Sequence, residues 1–477
     1  MSALPGEHVA EEPLGSSQEA RPADLAALLS SMRLEADPLA DQAVADILGP
    51  WDAERPGWDR LQQRLGTVNR LIALWVHNAD LVRWAPRAAQ QAAGPDAQAT
   101  REIITRLEAF AQAARVLPSW ANHPQLLRAE ELFFADGFLS CVLLFCSSLP
   151  ECYVAPNISM VLHSTGQLVE RAEHRVRSTA AMIFPVMMAG GLSNDSGSGI
   201  AQTLKVRLIH ATIRNLLLRG DPARASAALR AAFGAAGSVE VPPLQRPPES
   251  RQWHEVLGAH GWRPAAHGLP INQEEMAYTL LTFSYVVLRS LRRLGVPWRP
   301  ADEEAYLHTW NVTGHLLGIR GELMAETMDE ARVLYEAMQA RARATAVSPD
   351  PRPLLSRALM QTMQASIPLS LLKPFPVLMT GWLCGRRTMR ELGLTQYQSL
   401  LSRLLFLLFM GLARTVDAVV HRVMPRFSIG RFVGRMLSYH LMTRLLMKQT
   451  EPLRLPQPWV AQVEEAMGRW FVSPPPR

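Results

Sequence analysis

From Asp24 to about Val116 large apolar residues return every three or four positions, as at Leu61, Leu65, Val68, Leu71, Ile72 and Leu74. That is the spacing of one face of an α-helix. Pro and Gly punctuate the stretch near 50, 56, 86 and 94, so several helices are expected in succession. From about 120 to 345 the segments become greasier and are broken at Pro150, at Pro156, at the loop GGLSNDSGSG (190–199) and at VPPLQRPPES (241–250). The 190–199 loop follows a helical segment rather than a strand and reads as a flexible connection. No stretch alternates with period two on β-branched residues, and Leu, Ala, Met and Arg outnumber Val, Ile and Thr. The predicted fold class is all-α.

The ends of the chain have a different texture. Residues 1–22 contain almost no large apolar side chains and read as a flexible tail that cannot offset the entropy of ordering. The pattern then suggests an N-terminal helical segment over 23–119, a core over 120–347 and a C-terminal helical segment over 348–477, entered through SPDPRP (348–353). Within the last segment, Ala358 to Gly385 is uncharged except for Lys373, but Pro368, Pro374 and Pro376 make it a poor straight span. A second run, Leu404 to Ala413 between Arg403 and Arg414, covers roughly 15 Å as a helix, too short for a bilayer core of about 30 Å. Short apolar runs flanked by arginine fit an interfacial helix, although buried core helices are the commoner source.

Charge sharpens this picture at one end. Residues 351–477 carry 17 Lys/Arg against 5 Asp/Glu, whereas residues 1–350 carry 32 against 38. A basic segment can seek nucleic acid, anionic lipid or an acidic protein surface. Its apolar company argues against nucleic acid and makes a peripheral membrane contact the candidate. Only Lys205, Lys373 and Lys448 are lysines, so part of the arginine excess reflects base composition. Cys141, Cys146, Cys152 and Cys384 form no CxxC pair and read as buried free thiols. The first residues, MSALPGEHVAEEPLG, show neither a basic n-region nor an apolar h-region, so a cytoplasmic protein is expected.

Two helical segments carry candidate chemistry. In IAQTLKVRLIHATIRNLLLRG (200–220) His210 stands three residues after Arg207 and four before Arg214, which places all three on one face. Against a pocket they would offer an imidazole to iron and two guanidinium groups to carboxylates such as haem propionates. A core histidine with two surface arginines has the same spacing. In QLVERAEHRVRSTAAMIFPVMMAGG (167–191), Gln167, Arg171, Arg175 and Thr179 recur every four residues and run into an apolar half. An unpaired polar group there costs roughly 1–3 kcal/mol, so Arg175 and Thr179 are expected to have partners, a capping or ion-pair role included.

These segments, with GLPINQEEMAYTLLTFSYVVL (268–288) and YLHTWNVTGHLLGI (306–319), resemble in order and spacing the latex-clearing protein and MpaB oxygenase family over about residues 125–345. The matching pieces are Arg175 and Thr179 in RVRST, and Arg207 and His210 in VRLIH. The resemblance implies a globin-like, all-helical core that binds haem b with His210 as the axial iron ligand. It puts Arg175 and Thr179 on the distal side, Arg207 and Arg214 around the haem, and dioxygen and an apolar, isoprenoid or otherwise unsaturated substrate, small or polymeric, at the site. Oxidative cleavage or oxygenation is the implied reaction. In one respect the chain departs from the rubber-cleaving members: Ser178 stands where they have a lysine.

Other polar residues in these blocks have plainer roles. Asn272 and Gln273 read as a helix start, His315 as a core histidine rather than a second axial ligand, and His163 as a secondary distal candidate. No Glu-x-x-His, HExxH or phosphate-binding loop occurs, which removes di-iron, zinc-hydrolase and nucleotide chemistry. The rival function is a non-catalytic helical protein that binds lipid or isoprenoid at a membrane.

Overall fold

The computed structural model describes residues 22–50, 58–91, 96–164, 172–220, 222–232, 262–348, 350–365, 367, 372–397, 402–408, 410, 411 and 415. Among them every regular element is helical. The expected tail, apart from Pro22, and the 241–250 stretch lie outside the described residues.

Helices α1 (Pro22–Met32) and α2 (Pro38–Leu48) open the chain. Asp37 caps α2 by accepting the Ala40 N–H, with Pro38 at the first helical position, where no amide is needed. Then come α3 (Trp58–Ile72), α4 (Asp80–Gln91) and α5 (Ala97–Ala114), with α2 and α4 both against α5. Pro86, expected to punctuate, lies inside α4 on its exposed side. A carbonyl that loses its partner there can turn to water, so the helix survives.

Next are α6 (His123–Ala135) and α7 (Gly137–Leu143), a π-helical turn (Leu144–Ser148), α8 (Leu149–Tyr153) and α9 (Pro156–Ser164). Pro150 does not separate α7 from α8. It occupies the first turn of α8 directly after the π turn, where a missing N–H costs least.

The middle of the molecule holds α10 (Ala172–Met187), α11 (Gly199–Leu218) and α12 (Pro222–Ala232). After them come α13 (Pro264–His267), α14 (Gln273–Phe283), α15 (Tyr285–Leu294), α16 (Pro300–Leu316) and α17 (Met328–Ala344). Helices α18 (Arg352–Ala365) and α19 (Phe375–Glu391) complete the body. One continuous apolar core runs from Leu29 to Met410. Helix α11 is at its centre, packed on α2, α10 and α16.

The loop between α10 and α11 is tightly braced, not the flexible connection its glycines suggest. Asn78 donates to the Gly191 and Asn194 carbonyls at 2.9 and 2.8 Å and accepts the Ala201 N–H at 3.2 Å. Buried Glu130 accepts the Gly190 N–H at 2.9 Å. A Cβ on Gly191 would lie 2.1 Å from the Pro185 carbonyl oxygen, so the glycine serves close backbone approach rather than freedom.

Helices α18 and α19 pack on α8, with α18 also on α9 and α10. Arg343 of α17 holds Glu391 at the end of α19 at 2.9 Å. Among the described residues no single helix is long and apolar enough to cross a membrane. The four cysteines are free thiols, three of them buried, and burial pushes Cys141 and Cys146 up to about 12.

Candidate functional site around helix α11

Sixteen of the twenty residues of α11 are buried; the other four are Gln202, Val206, Ile209 and His210. At about 100° per residue these four fall on one stripe. The incompletely covered face of the central helix is therefore half apolar, at Val206 and Ile209, and half polar, at Gln202 and His210. Helix α10 packs on α11 and carries a half-buried Thr179. Arg175 lies on α10 one turn before Thr179, while its side chain, that of Ser178, and Gln167 and Arg171 are outside the described residues.

The two arginines beside His210 are engaged by carboxylates of the chain itself. Arg207 Nε and Nη2 donate to Asp37 at 2.6 and 2.8 Å, and Nη1 donates to the Leu316 carbonyl at 3.1 Å. Its guanidinium also stands 5.8 Å from the centre of the Phe110 ring. Gly318, with φ +79, closes over this pair: a Cβ there would lie 2.8 Å from Arg207 Nη2 and from Asp37. All three nitrogens of Arg207 are thus used inside the protein, so it braces α11 and is not a free cation for a propionate.

Arg214 is differently poised. Its Nε donates to Asp41 at 2.8 Å and its Nη1 to the Ile271 carbonyl at 2.9 Å, but Nη2 is buried with no hydrogen-bond acceptor. Burial raises the Asp41 carboxyl to about 6, against the pull of Arg214. Ile271 has φ +53, strained for a β-branched residue, and this conformation accompanies its carbonyl bond to Arg214.

The GLPINQ block explains itself around that strain. Asn272 accepts the Glu275 N–H at 3.0 Å and caps α14, as expected. Gln273 does more than open a helix: it donates to the Ala36 and Gly318 carbonyls at 2.6 and 2.8 Å and accepts the Arg320 N–H at 2.9 Å. It ties the entrance of α2 to the exit of α16. His315 is half-buried on α16, edge-on to Trp120 at 6.2 Å. His163 is half-buried on α9.

Sequence reasoning passed over Asp37, Asp41 and a recess of about 40 Å³ whose lining includes Arg33, Asn157, Glu275 and Arg341. Both Glu275 carboxylate oxygens are buried without a well-formed hydrogen bond, and burial raises the group to about 7. Nearby, His267 Nδ1 lies 3.1 Å from Asn157 Oδ1, and burial lowers this histidine to about 4. Asp37 before Pro38 did signal a helix start; that its carboxylate would meet Arg207, 170 residues away, left no local trace.

Residues 249–416 match the family model for the catalytic domain of the ER-bound oxygenase mpaB/B'/rubber oxygenase group. Over this stretch, about a third of its length, the chain is similar to that oxygenase family. The match takes in the GLPINQ and YLHTW blocks and begins after α11. A rubber oxygenase from Streptomyces sp. (strain K30) is 26% identical over 228 residues, 47% of this chain and 46% of that protein. The chain thus spans about half the length of this curated relative. The solved structure of latex clearing protein LCP in the closed state aligns over 97% of this chain and 96% of that one, with TM-score 0.55 and 18% identity. At that identity the likeness speaks for the all-α fold alone.

Proposed function

We propose that the protein is a haem b-dependent oxygenase, with His210 as the iron ligand, acting on an apolar isoprenoid or other unsaturated substrate. The observation that carries this reading is the half-covered stripe of α11, apolar at Val206 and Ile209 with His210 at its edge. A flat apolar macrocycle with a central metal would suit such a surface, and the likeness of residues 249–416 to the oxygenase family supports the reaction class.

Bound haem supplies the redox chemistry that dioxygen requires. Val206 and Ile209 would give the cofactor's site an apolar lining and keep water from it. The buried Arg214 Nη2, lacking an acceptor, is a donor for one carboxylate of the cofactor. Asp37 and Asp41 hold the α11 arginines in place, so that the helix carrying His210, which would hold the iron, is braced against α2. Thr179 and Arg175, on the adjoining α10, are assigned to orient the oxygen species through a hydroxyl donor and a cation. A serine at 178 cannot provide the cationic amine of the rubber-cleaving pattern, which leaves Arg175 as the cation assigned to that side.

The test is spectroscopic and then chemical. Protein expressed with ample haem should carry a Soret band at about one haem per chain, and a colourless product would overturn the proposal. Isoprenoids and unsaturated lipids incubated with the haem-loaded protein under oxygen should yield carbonyl products by mass spectrometry. Arg175→Ala should retain the Soret band and lower turnover.

A further inference from the structure

We propose that the leucine face of residues 402–408 is a docking surface for anionic membrane lipid. These residues are helical. Phe406 turns inward and meets Phe375 and Trp382 of α19 at 5.7 and 6.3 Å between ring centres, and Met410 is buried beside it in the core. The helix is therefore anchored by one side. Leu404, Leu405, Leu407 and Leu408 are left 55%, 44%, 51% and 61% exposed. Four large aliphatic side chains in five positions form a patch that water penalises.

Leu372, 45% exposed, and the exposed Lys373 immediately precede α19. The Phe375–Phe406 contact brings that turn to the same end of the molecule. Arg403, also exposed, adjoins the leucines. Residues 351–411 hold seven Lys/Arg and one acid, Glu391, and Glu391 is occupied by Arg343 and Arg387. The apolar face is thus bordered by the cations Lys373 and Arg403, and the acids of its segment nearest in sequence are Glu391 and Asp417. This is the pattern of a helix that lies in the headgroup region rather than crossing the bilayer, and it agrees with the absence of a spanning helix among the described residues. Charge selects anionic lipid over a neutral surface or a second copy of the same basic face, which would repel.

Flotation of the full-length protein with phosphatidylcholine vesicles, with and without phosphatidylglycerol, tests this directly. Binding to the anionic vesicles should exceed binding to the neutral ones by about tenfold at low salt, and fall as salt shortens the screening length. The double variant L404S/L408S should bind the anionic vesicles about tenfold less, and K373E should weaken binding and its salt dependence. Both should melt with the parent protein, because these side chains are exposed. Absence of binding to the anionic vesicles, or undiminished binding by L404S/L408S, would overturn the proposal. So would a lower melting temperature or altered oligomeric state in that variant, since the leucines would then be covered by protein. None of these readouts depends on haem.

Discussion

Arg214 Nε donates to Asp41 Oδ1 at 2.8 Å where the two side chains are 0% and 5% exposed. The pair joins the second helix of the chain to the helix that carries His210, and the Arg207–Asp37 pair repeats the arrangement two turns earlier on α11. Removing one partner of a buried pair leaves the other charge uncompensated. Asp41→Ala and Arg214→Ala should each destabilise the protein by about 3–5 kcal/mol in chemical denaturation, without added cofactor. An arginine whose only partner was a bound propionate would tolerate loss of the aspartate, so an unchanged midpoint in Asp41→Ala would refute the bracing role.

His210 sits on a half-covered face, and its replacement should be mild for the fold. His210→Ala should keep the helical circular dichroism of the parent and melt within a few degrees of it, while stable haem binding disappears from the absorption spectrum. Full haem content in this variant would refute the ligand assignment.

Glu275 gives a pH-dependent prediction. Its folded value, about 7, lies above the ordinary 4.5, so the folded state holds a proton that the unfolded chain has released. The favourable contribution of that proton is complete below about 4.5 and is lost as pH rises towards 7. Glu275→Gln should therefore match the parent at pH 4 and exceed it by about 2–3 kcal/mol at pH 8. A stability difference independent of pH would contradict it. His267 runs the other way. Its folded value, about 4, lies below 6.5, so its contribution is present above 6.5 and lost as pH falls towards 4.

Gly191→Ala tests the bracing of the loop before α11. With the Pro185 carbonyl oxygen 2.1 Å from the added carbon, backbone must shift, and a loss of at least about 2 kcal/mol is expected in thermal or chemical melts. Gly220, where an added carbon meets nothing within 4 Å, is a control for loop glycines, though its φ of +149 adds some strain of its own.

The contrast between these glycines shows where local pattern stopped being informative. GGLSNDSGSG (190–199) looked loose because glycine and serine permit many conformations. What fixed it was Asn78, more than 100 residues earlier, filling the gap that missing side chains leave. Pro86 looked like a break, yet it lies inside a helix, because packing along the rest of a helix can outweigh one lost hydrogen bond.

Helical periodicity, the absence of alternating strands, and the placing of Arg207, His210 and Arg214 on one face were all in the sequence, because they follow from geometry repeated every few residues. So was the cap at Asn272, which needs only the amide three positions on. The partners of those arginines were not. Asp37 and Asp41 lie some 170 residues before them, and an ion pair across such a separation is set by how helices cross, which no local spacing encodes. The tertiary structure alone decided that Arg207 is spent within the fold, that Arg214 keeps one donor, and that the stripe beside His210 is the face of α11 left partly uncovered.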